Sequence, residues 1–328
     1  MKETFIYILC FITSLILTKL FLSLFVKLNL TGIDIFKAHR PRVPLLGGLS
    51  IPLTIMLYTL IGVSINVIQA INGIAILLSI ATITAIGLLD DLYDLPGFYK
   101  PLFCTLGGLP LILLQTYEYH LQFPLGVGFR ISIIYALLIL VGVSVAANTF
   151  NMLDVINGSA TVGGVTSLIA LFFAASIFKI NEAIFPIMIG IATYLGFLVY
   201  NLYPARTFLG NAPALAMGAY IAVLSIIYSI EFPAVVSLFP FIHNSFFVLQ
   251  KIRGFVEHKK LNYQVTYLSS EELIYDAHDP NAPITLLRLL VSKKPLREYE
   301  ALLNIIILCT FSCILSIIST YLMIKFEA

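Results

Sequence analysis

The sequence has no tryptophan and few charges: Asp, Glu, Lys and Arg make up 11% of its 328 residues. A soluble domain carries about 25% charged residues, so this shortage excludes an ordinary water-soluble globule. The formal charge of +2 excludes the basic footprint of a nucleic-acid-binding protein. Cysteine is scarce too. Cys10, Cys104, Cys309 and Cys313 all fall in apolar runs, which excludes a disulfide framework, and Cys309 and Cys313 read as packing residues rather than a metal pair. No small-residue cleavage site follows the N-terminal run MKETFIYILCFITSLILTKLFLSLFVKL. It therefore reads as a retained span rather than a secretory signal.

What is abundant is apolar surface: 59% of residues are hydrophobic and the mean hydropathy is +0.99. Ten apolar stretches can be marked, at 5–26, 46–67, 71–89, 101–115, 131–150, 159–178, 184–202, 212–230, 232–250 and 302–323; nine have the length of membrane spans, and the fourth is short and flanked by prolines. Backbone groups in lipid must be satisfied internally, so continuous runs of this kind predict helices. The expected fold is all-α, a polytopic integral membrane protein of about ten transmembrane helices, forming one domain over 1–328. The longest polar segment, 251–301, is predicted to hold a short amphipathic helix around TLLRLLVSKKPL.

Basic residues set the expected orientation. With both termini on one side, the loops near 27–45, 90–100, 151–158, 201–211 and 251–301 share the other side and carry fourteen Lys and Arg, against four on the terminal side. The positive-inside rule makes the fourteen-residue side cytoplasmic. Nearly all the loop acids and amides fall there as well.

Several stretches on that side carry chemistry. GLLDDLYDLPGFYK places Asp90, Asp91 and Asp94 within five positions at the end of an apolar run, followed by Lys100. A carboxylate at mid-bilayer costs roughly 3 kcal/mol, so these acids need an interface or a wet cavity, and neighbouring carboxylates favour a cation beside them. A solvated turn and a cation path fit the same residues. In NTFNMLDVINGSATVGG, residues Asn148, Asn151, Asp154 and Asn157 are spaced by three, a polar stripe if helical. It suits either interhelical hydrogen bonds or Mg²⁺, which prefers hard oxygen ligands shared with phosphates. NLYPARTFLGNAPALAMG offers Arg206, Phe208 and Asn211 in a tight turn; TGIDIFKAHRPRVPLLGG offers Asp34 and Lys37; and EHKK contributes His258, Lys259 and Lys260. Read singly, the last three are an interface anchor, a positive-inside cluster and a solvated loop. Together, acids, amides and bases on one side form the inventory of a phosphoryl-transfer site at a membrane surface.

These motifs, in this order among ten spans, resemble the polyprenyl-phosphate N-acetylhexosamine-1-phosphate transferases (glycosyltransferase family 4). The resemblance leans to the eukaryotic and archaeal dolichyl-phosphate GlcNAc-1-phosphotransferase branch through GIDIFK, NLYPARTFLGN and TLLRLL…KPLREYEALLNIII. It covers nearly the whole chain. It implies Mg²⁺, with Mn²⁺ as a substitute, and UDP-GlcNAc and a polyprenyl or dolichyl phosphate as substrates. It also implies a cytoplasmic-face site, with an archaeal plasma membrane favoured over the endoplasmic reticulum, and is compatible with a homodimer.

Carried over residue by residue, Asp90, Asp91 and Asp94 match the acidic motif, and Lys100 matches the lysine that neutralises the pyrophosphate. Asn151 matches a Mg²⁺ ligand with Asn148 nearby, Asn157 and Phe208 match the amide and stacking face around the uracil, and Arg206 with the 258–260 run matches basic groups near the phosphates. Two departures stand out. Asn211 occupies the place of a metal-binding Asp, so Asp154 or Asp91 compensates or the site is weakened; and EHKKLN replaces an arginine-rich segment. The competing expectations are a catalytically impaired paralogue and, from another class, an ion or solute transporter with acids and broken helices at mid-depth.

Overall fold

The computed structural model describes residues 2–93, 95–124, 127–130, 132–252 and 263–327. Asp94, His258, Lys259 and Lys260 lie outside the described residues.

All ten apolar stretches are helical. The helices are α1 (Lys2–Lys27), α2 (Ser50–Ser64), α3 (Ala70–Tyr93), α4 (Tyr99–Cys104), α5 (Leu109–Leu114), α6 (Ser132–Leu153), α7 (Ser159–Ile177), α8 (Asn181–Asn201), α9 (Asn211–Ile227), α10 (Glu231–Ser237), α11 (Phe239–Ile252), α12 (Leu286–Val291) and α13 (Glu298–Glu327). Among the described residues seven helices are long and apolar enough to cross a membrane, or eight if the pair α10–α11, bent by 66°, counts as one broken span. The expected ten is not reached. The stretches Tyr99–Leu114 and Asn211–Ile227 run to at most 17 residues, about 26 Å at 1.5 Å per residue against a hydrocarbon core of about 30 Å. The chain is an integral membrane protein of the all-α class.

Three small antiparallel hairpins join these helices: β1 (Thr31–Ile33) with β2 (Arg42–Pro44), β3 (His120–Phe123) with β4 (Val127–Arg130), and β5 (Thr266–Leu268) with β6 (Ile274–Asp276). The last falls in the long polar segment, beside the helix expected there. That helix is α12, whose N-cap Thr285 accepts a hydrogen bond from the Arg288 backbone N–H. The β5–β6 hairpin is tied to the β1–β2 loop, because the Ala38 backbone N–H donates to Glu272 Oε1 at 2.9 Å.

Helix α9 is the centre of the bundle. Every residue from Ala212 to Ile226 is buried, and α3, α6 and α7 pack around it. Its contact with α3 is backbone-close: a Cβ on Gly87 would lie 2.4 Å from the Ala212 Cα. Helices α1 and α13 lie at the periphery and turn Phe5, Ile8, Ile12, Ile16, Ile307, Phe311 and Ile318 outward, as lipid-facing surfaces do. Because consecutive long helices run antiparallel, the ends of α1, α3, α6 and α8 meet the starts of α2, α7, α9 and α13 at one end of the bundle. The polar motifs among the described residues converge there.

Candidate active site

At that end the C-terminus of α3 meets the N-terminus of α9. Acids at a helix C-terminus oppose its dipole, at about 0.3–1 kcal/mol each, so Asp90 and Asp91 are poorly explained as ordinary capping residues. The structure supplies what each needs. Lys100, early in α4, places its Nζ 2.7 Å from Asp90 Oδ2 in a largely buried ion pair. Asp90 Oδ1 also accepts the Leu95 backbone N–H at 3.2 Å. Asp91 Oδ2 accepts the Ala212 backbone N–H at 3.2 Å, at the positive end of α9.

The chain of contacts continues through the amides. Lys100 Nζ donates to Asn151 Oδ1 at 3.0 Å, and Asn151 Nδ2 donates to Asn211 Oδ1 at 2.7 Å. Thus Asp90, Lys100, Asn151, Asn211 and Asp91 form one connected group drawn from α3, α4, α6 and α9. Two carboxylates and two amide oxygens are hard donors, the set that suits Mg²⁺ when it is shared with phosphate oxygens. No group of three or more His, Cys, Asp and Glu gathers within metal-binding reach among the described residues. A metal here would therefore rest on amide oxygens and on its substrate as much as on carboxylates.

A second polar cluster lies beside the β1–β2 hairpin. Asp34 pairs with Lys37 and accepts the Phe36 backbone N–H on Oδ1 at 3.2 Å. Asn157 Nδ2 donates both to Asp34 Oδ2 at 3.0 Å and to Glu298 Oε1 at 2.7 Å. Lys37 Nζ also lies 3.7 Å from Glu298 Oε2 and 5.4 Å from the centre of the Tyr203 ring. Asp34, Lys37, Asn157 and Glu298 are all buried. Phe208 borders the same hairpin: its backbone N–H donates to the Pro44 carbonyl at 2.8 Å, and a Cβ on Gly32 would lie 3.2 Å from its ring.

The remaining candidates fall elsewhere. The stripe of four polar residues is not one helical face, because α6 stops at Leu153. Asn148 and Asn151 ride on the helix; Asp154 and Asn157 belong to the turn after it. Asn148 bonds back to the Ser144 carbonyl of its own helix at 2.8 Å. Asp154 makes no hydrogen bond or ion pair among the described residues, and burial pushes its carboxyl up to about 7. The Arg206 side chain is exposed and free of partners among the described residues, while its backbone N–H donates to the Tyr200 carbonyl at 2.7 Å.

Glu298 and Tyr203 were not among the residues expected from sequence. An acid in the first turn of a long apolar helix was the available signal for Glu298, but the same position serves any ordinary cap.

An apolar groove leads away from the first cluster. A cavity of about 370 Å³ runs between α6, α9 and α10, lined among others by Leu138, Gly142, Val145, Phe232 and Ile242. A second, of about 190 Å³, shares Val145 and Ile242 and ends at Pro101, Asn148 and Met152, one helical turn from Asn151. The bend between α10 and α11 walls the larger one, and α11 borders both.

Comparison with known proteins bears on this geometry. The sequence profile described as glycosyl transferase family 4 matches residues 74–229. A provisionally named glycosyltransferase of Methanocaldococcus jannaschii is 27% identical over 304 residues, covering 89% of this chain and 88% of its own. A protein of Sulfolobus acidocaldarius, provisionally named UDP-N-acetylglucosamine–dolichyl-phosphate N-acetylglucosaminephosphotransferase, is 31% identical over 225 residues, 66% of this chain and 68% of its own. The phospho-N-acetylmuramoyl-pentapeptide-transferase of Streptococcus thermophilus is 37% identical over 107 residues, 32% of this chain and 31% of its own.

Proposed function

This chain belongs to glycosyl transferase family 4, and we propose that it transfers N-acetylglucosamine 1-phosphate from UDP-N-acetylglucosamine to a polyprenyl or dolichyl phosphate, releasing UMP. The observation that carries the reading is the connected group Asp90–Lys100–Asn151–Asn211–Asp91, with an apolar cavity ending at Pro101 and Asn148, the sequence neighbour of Lys100 and the residue one helical turn before Asn151. The site end of the bundle is the cytoplasmic one in this reading, where the basic loops cluster and a soluble nucleotide sugar is available. The substrates named for the Sulfolobus relative support the choice of sugar and lipid.

In the reaction, an oxygen of the lipid phosphate attacks the sugar-side phosphorus of the diphosphate. The bond from that phosphorus to the bridging oxygen breaks, and UMP leaves with the bridging oxygen. Two anions must be brought together, so the protein's contribution is neutralisation and alignment. Lys100 places a buried ammonium where the diphosphate would lie, held by Asp90 and Asn151. Asp90 or Asp91 orients the lipid phosphate, which is already mostly ionised near neutral pH. Phe208 provides a face for the uracil and Asn157 an amide, and the groove along α6 takes the prenyl chain sideways from the membrane. Mg²⁺ (or Mn²⁺), held by Asn151 and Asn211 with help from Asp91, would supply charge stabilisation on the diphosphate.

Asn211 favours a second reading. Its amide oxygen is engaged by another amide, a neutral pairing where a carboxylate would bind metal more tightly, as expected of an impaired paralogue that binds nucleotide sugar or lipid without turnover. The transporter alternative expected acids at mid-depth; the acids among the described residues lie at helix ends or in loops. The decisive assay combines protein purified in detergent, Mg²⁺, labelled UDP-N-acetylglucosamine and polyprenyl phosphate. Labelled lipid is the expected result. No product from wild type, with product from Asn211→Asp, would establish the impaired reading instead.

A further inference from the structure

The polar segment before α13 holds a basic cavity that phosphate transfer does not use. Arg288, on α12, is largely buried and its guanidinium is held in one plane. Its Nε donates to Asp276 Oδ1 at 2.9 Å and its Nη1 to the Ala282 carbonyl at 2.8 Å. Nη2 is left without a hydrogen-bond partner among the described residues. A cavity of about 340 Å³ borders this guanidinium, and Lys251, in the last turn of α11, lines it too. Lys251 makes no ion pair among the described residues. Asp276 and Asp279 share the lining, but their oxygens are engaged. Asp276 Oδ1 also accepts the His278 backbone N–H at 2.8 Å, and Asp279 accepts the backbone N–H groups of Gln264 and Asn281. The rest of the rim is apolar and open, with Ile284 and Leu289 42% and 44% exposed. Just beyond it Lys293 and Lys294 are exposed and unpaired among the described residues.

This cavity lies where lipid headgroups would be. Lys251 closes the broken span α10–α11, and the span α13 begins at Glu298, shortly after α12 ends at Val291. Membrane orientation needs basic residues only somewhere in a loop; it does not need a guanidinium buried against a cavity with one edge spare. We propose that the cavity binds the headgroup of an anionic phospholipid, whose phosphate takes donors from Arg288 Nη2 and Lys251 while its glycerol and upper acyl chains cover Ile284 and Leu289. The planar fork of an arginine suits phosphate oxygens, and basic pockets beside membrane helices on the cytoplasmic side hold such headgroups. The apolar rim selects a lipid over free phosphate, which would gain nothing from Ile284 or Leu289. Lys293 and Lys294 add attraction at longer range. The site shares no residue with the Lys100 or Lys37 clusters and does not depend on the transfer reaction.

The test measures thermal stabilisation of the full-length protein in detergent by added dioleoylphosphatidylglycerol, dioleoylphosphatidylcholine or inorganic phosphate. It compares wild type with Lys251→Gln and with Lys179→Gln, which removes an equal charge between α7 and α8 at the other end of the bundle. Wild type is expected to be half-stabilised by phosphatidylglycerol at a concentration at least about tenfold below that for phosphatidylcholine, the scale of two basic groups at a membrane surface. Lys251→Gln should raise the phosphatidylglycerol value about fivefold, the factor for one such group, and leave phosphatidylcholine unchanged. Lys179→Gln should alter neither. Arg288→Lys keeps the charge without the fork and should weaken phosphatidylglycerol as well; if it does not fold, the exposed Lys251 still decides. Equal stabilisation by the two lipids in wild type would overturn the proposal. Equal weakening by Lys179→Gln and Lys251→Gln would do the same, since it would reveal diffuse attraction rather than a site. Inorganic phosphate that stabilises as well as phosphatidylglycerol would replace the lipid with a free anion.

Discussion

In the cluster around Lys100, one ammonium lies between a carboxylate and an amide oxygen; in the cluster around Lys37, one ammonium lies between two carboxylates. Both sit at the same end of the bundle and both are largely buried. The first brings together residues of α3, α4, α6 and α9 at helix ends, where small shifts can admit a ligand. The second is closed by contacts across 123 and 141 residues of sequence, and pins the last membrane helix to the first loop. The difference separates two arrangements of buried charge: one ammonium is shared with an amide at helix ends, the other is enclosed by acids that tie distant segments together.

The largest effects expected are on these two lysines, and they should differ in kind. Lys37→Met leaves two buried acids without their counter-charge and should cost about 3–5 kcal/mol of stability, the scale for breaking a buried pair, seen as loss of a monodisperse folded protein or a sharply lowered Tm. Lys100→Met should cost roughly 10³-fold in transfer rate, comparable to removing a principal electrostatic stabiliser, with a smaller fall in Tm. Equal losses of stability in both would erase the distinction. Next, Asn211→Asp adds a carboxylate to the first cluster only. It should lower the Mg²⁺ concentration for half-maximal thermal stabilisation by about tenfold if the amide weakens the site.

Smaller effects should bypass both clusters. Gly142 lines the apolar groove, and a Cβ there would meet nothing within 4 Å. Gly142→Leu should therefore fold, fill the groove and raise the KM for a long-chain lipid phosphate several-fold, with little change for the nucleotide sugar. Asp154 belongs to neither cluster, and its carboxyl is pushed up to about 7 by burial. A raised acid is protonated in both states below about pH 4, whereas between there and pH 7 only the unfolded chain ionises. Its presence thus reduces stability progressively as pH rises through that window, and the loss levels off above it. Asp154→Asn should match wild type near pH 4 and melt a few degrees higher at pH 8.

Local spacing made much of the first cluster legible. Asp90, Asp91 and Lys100 lie within eleven positions of one apolar boundary, and scarce charge at such a boundary needs a reason. The helical class and the positions of all ten apolar stretches were equally plain from hydropathy. Their number as full spans was not, because α9 is short and shielded by its neighbours rather than by lipid, and hydropathy does not distinguish those environments. The Asn148-to-Asn157 stripe misled for a different reason. Spacing by three assumes a continuing helix, and the end of α6 at Leu153 sends Asn157 to a separate cluster. Glu298 was invisible as a site residue since its meaning comes from Asn157, 141 residues away.

The burial of α9 has a bearing on how the protein tolerates different membranes. Mismatch between a helix and the bilayer is relieved by tilting, and it acts on helices that touch lipid. Here those are chiefly α1 and α13, with their outward rows of Phe, Ile and Leu. Helix α9, which carries Asn211 and gives the Ala212 backbone N–H to Asp91 at the acid end of α3, is buried along its length from Ala212 to Ile226. Thickness changes reach it only after passing through a layer of packed helices, so the Asp91–Asn211 end of the candidate site is suspended inside the bundle much as a compass is held level in a rolling ship.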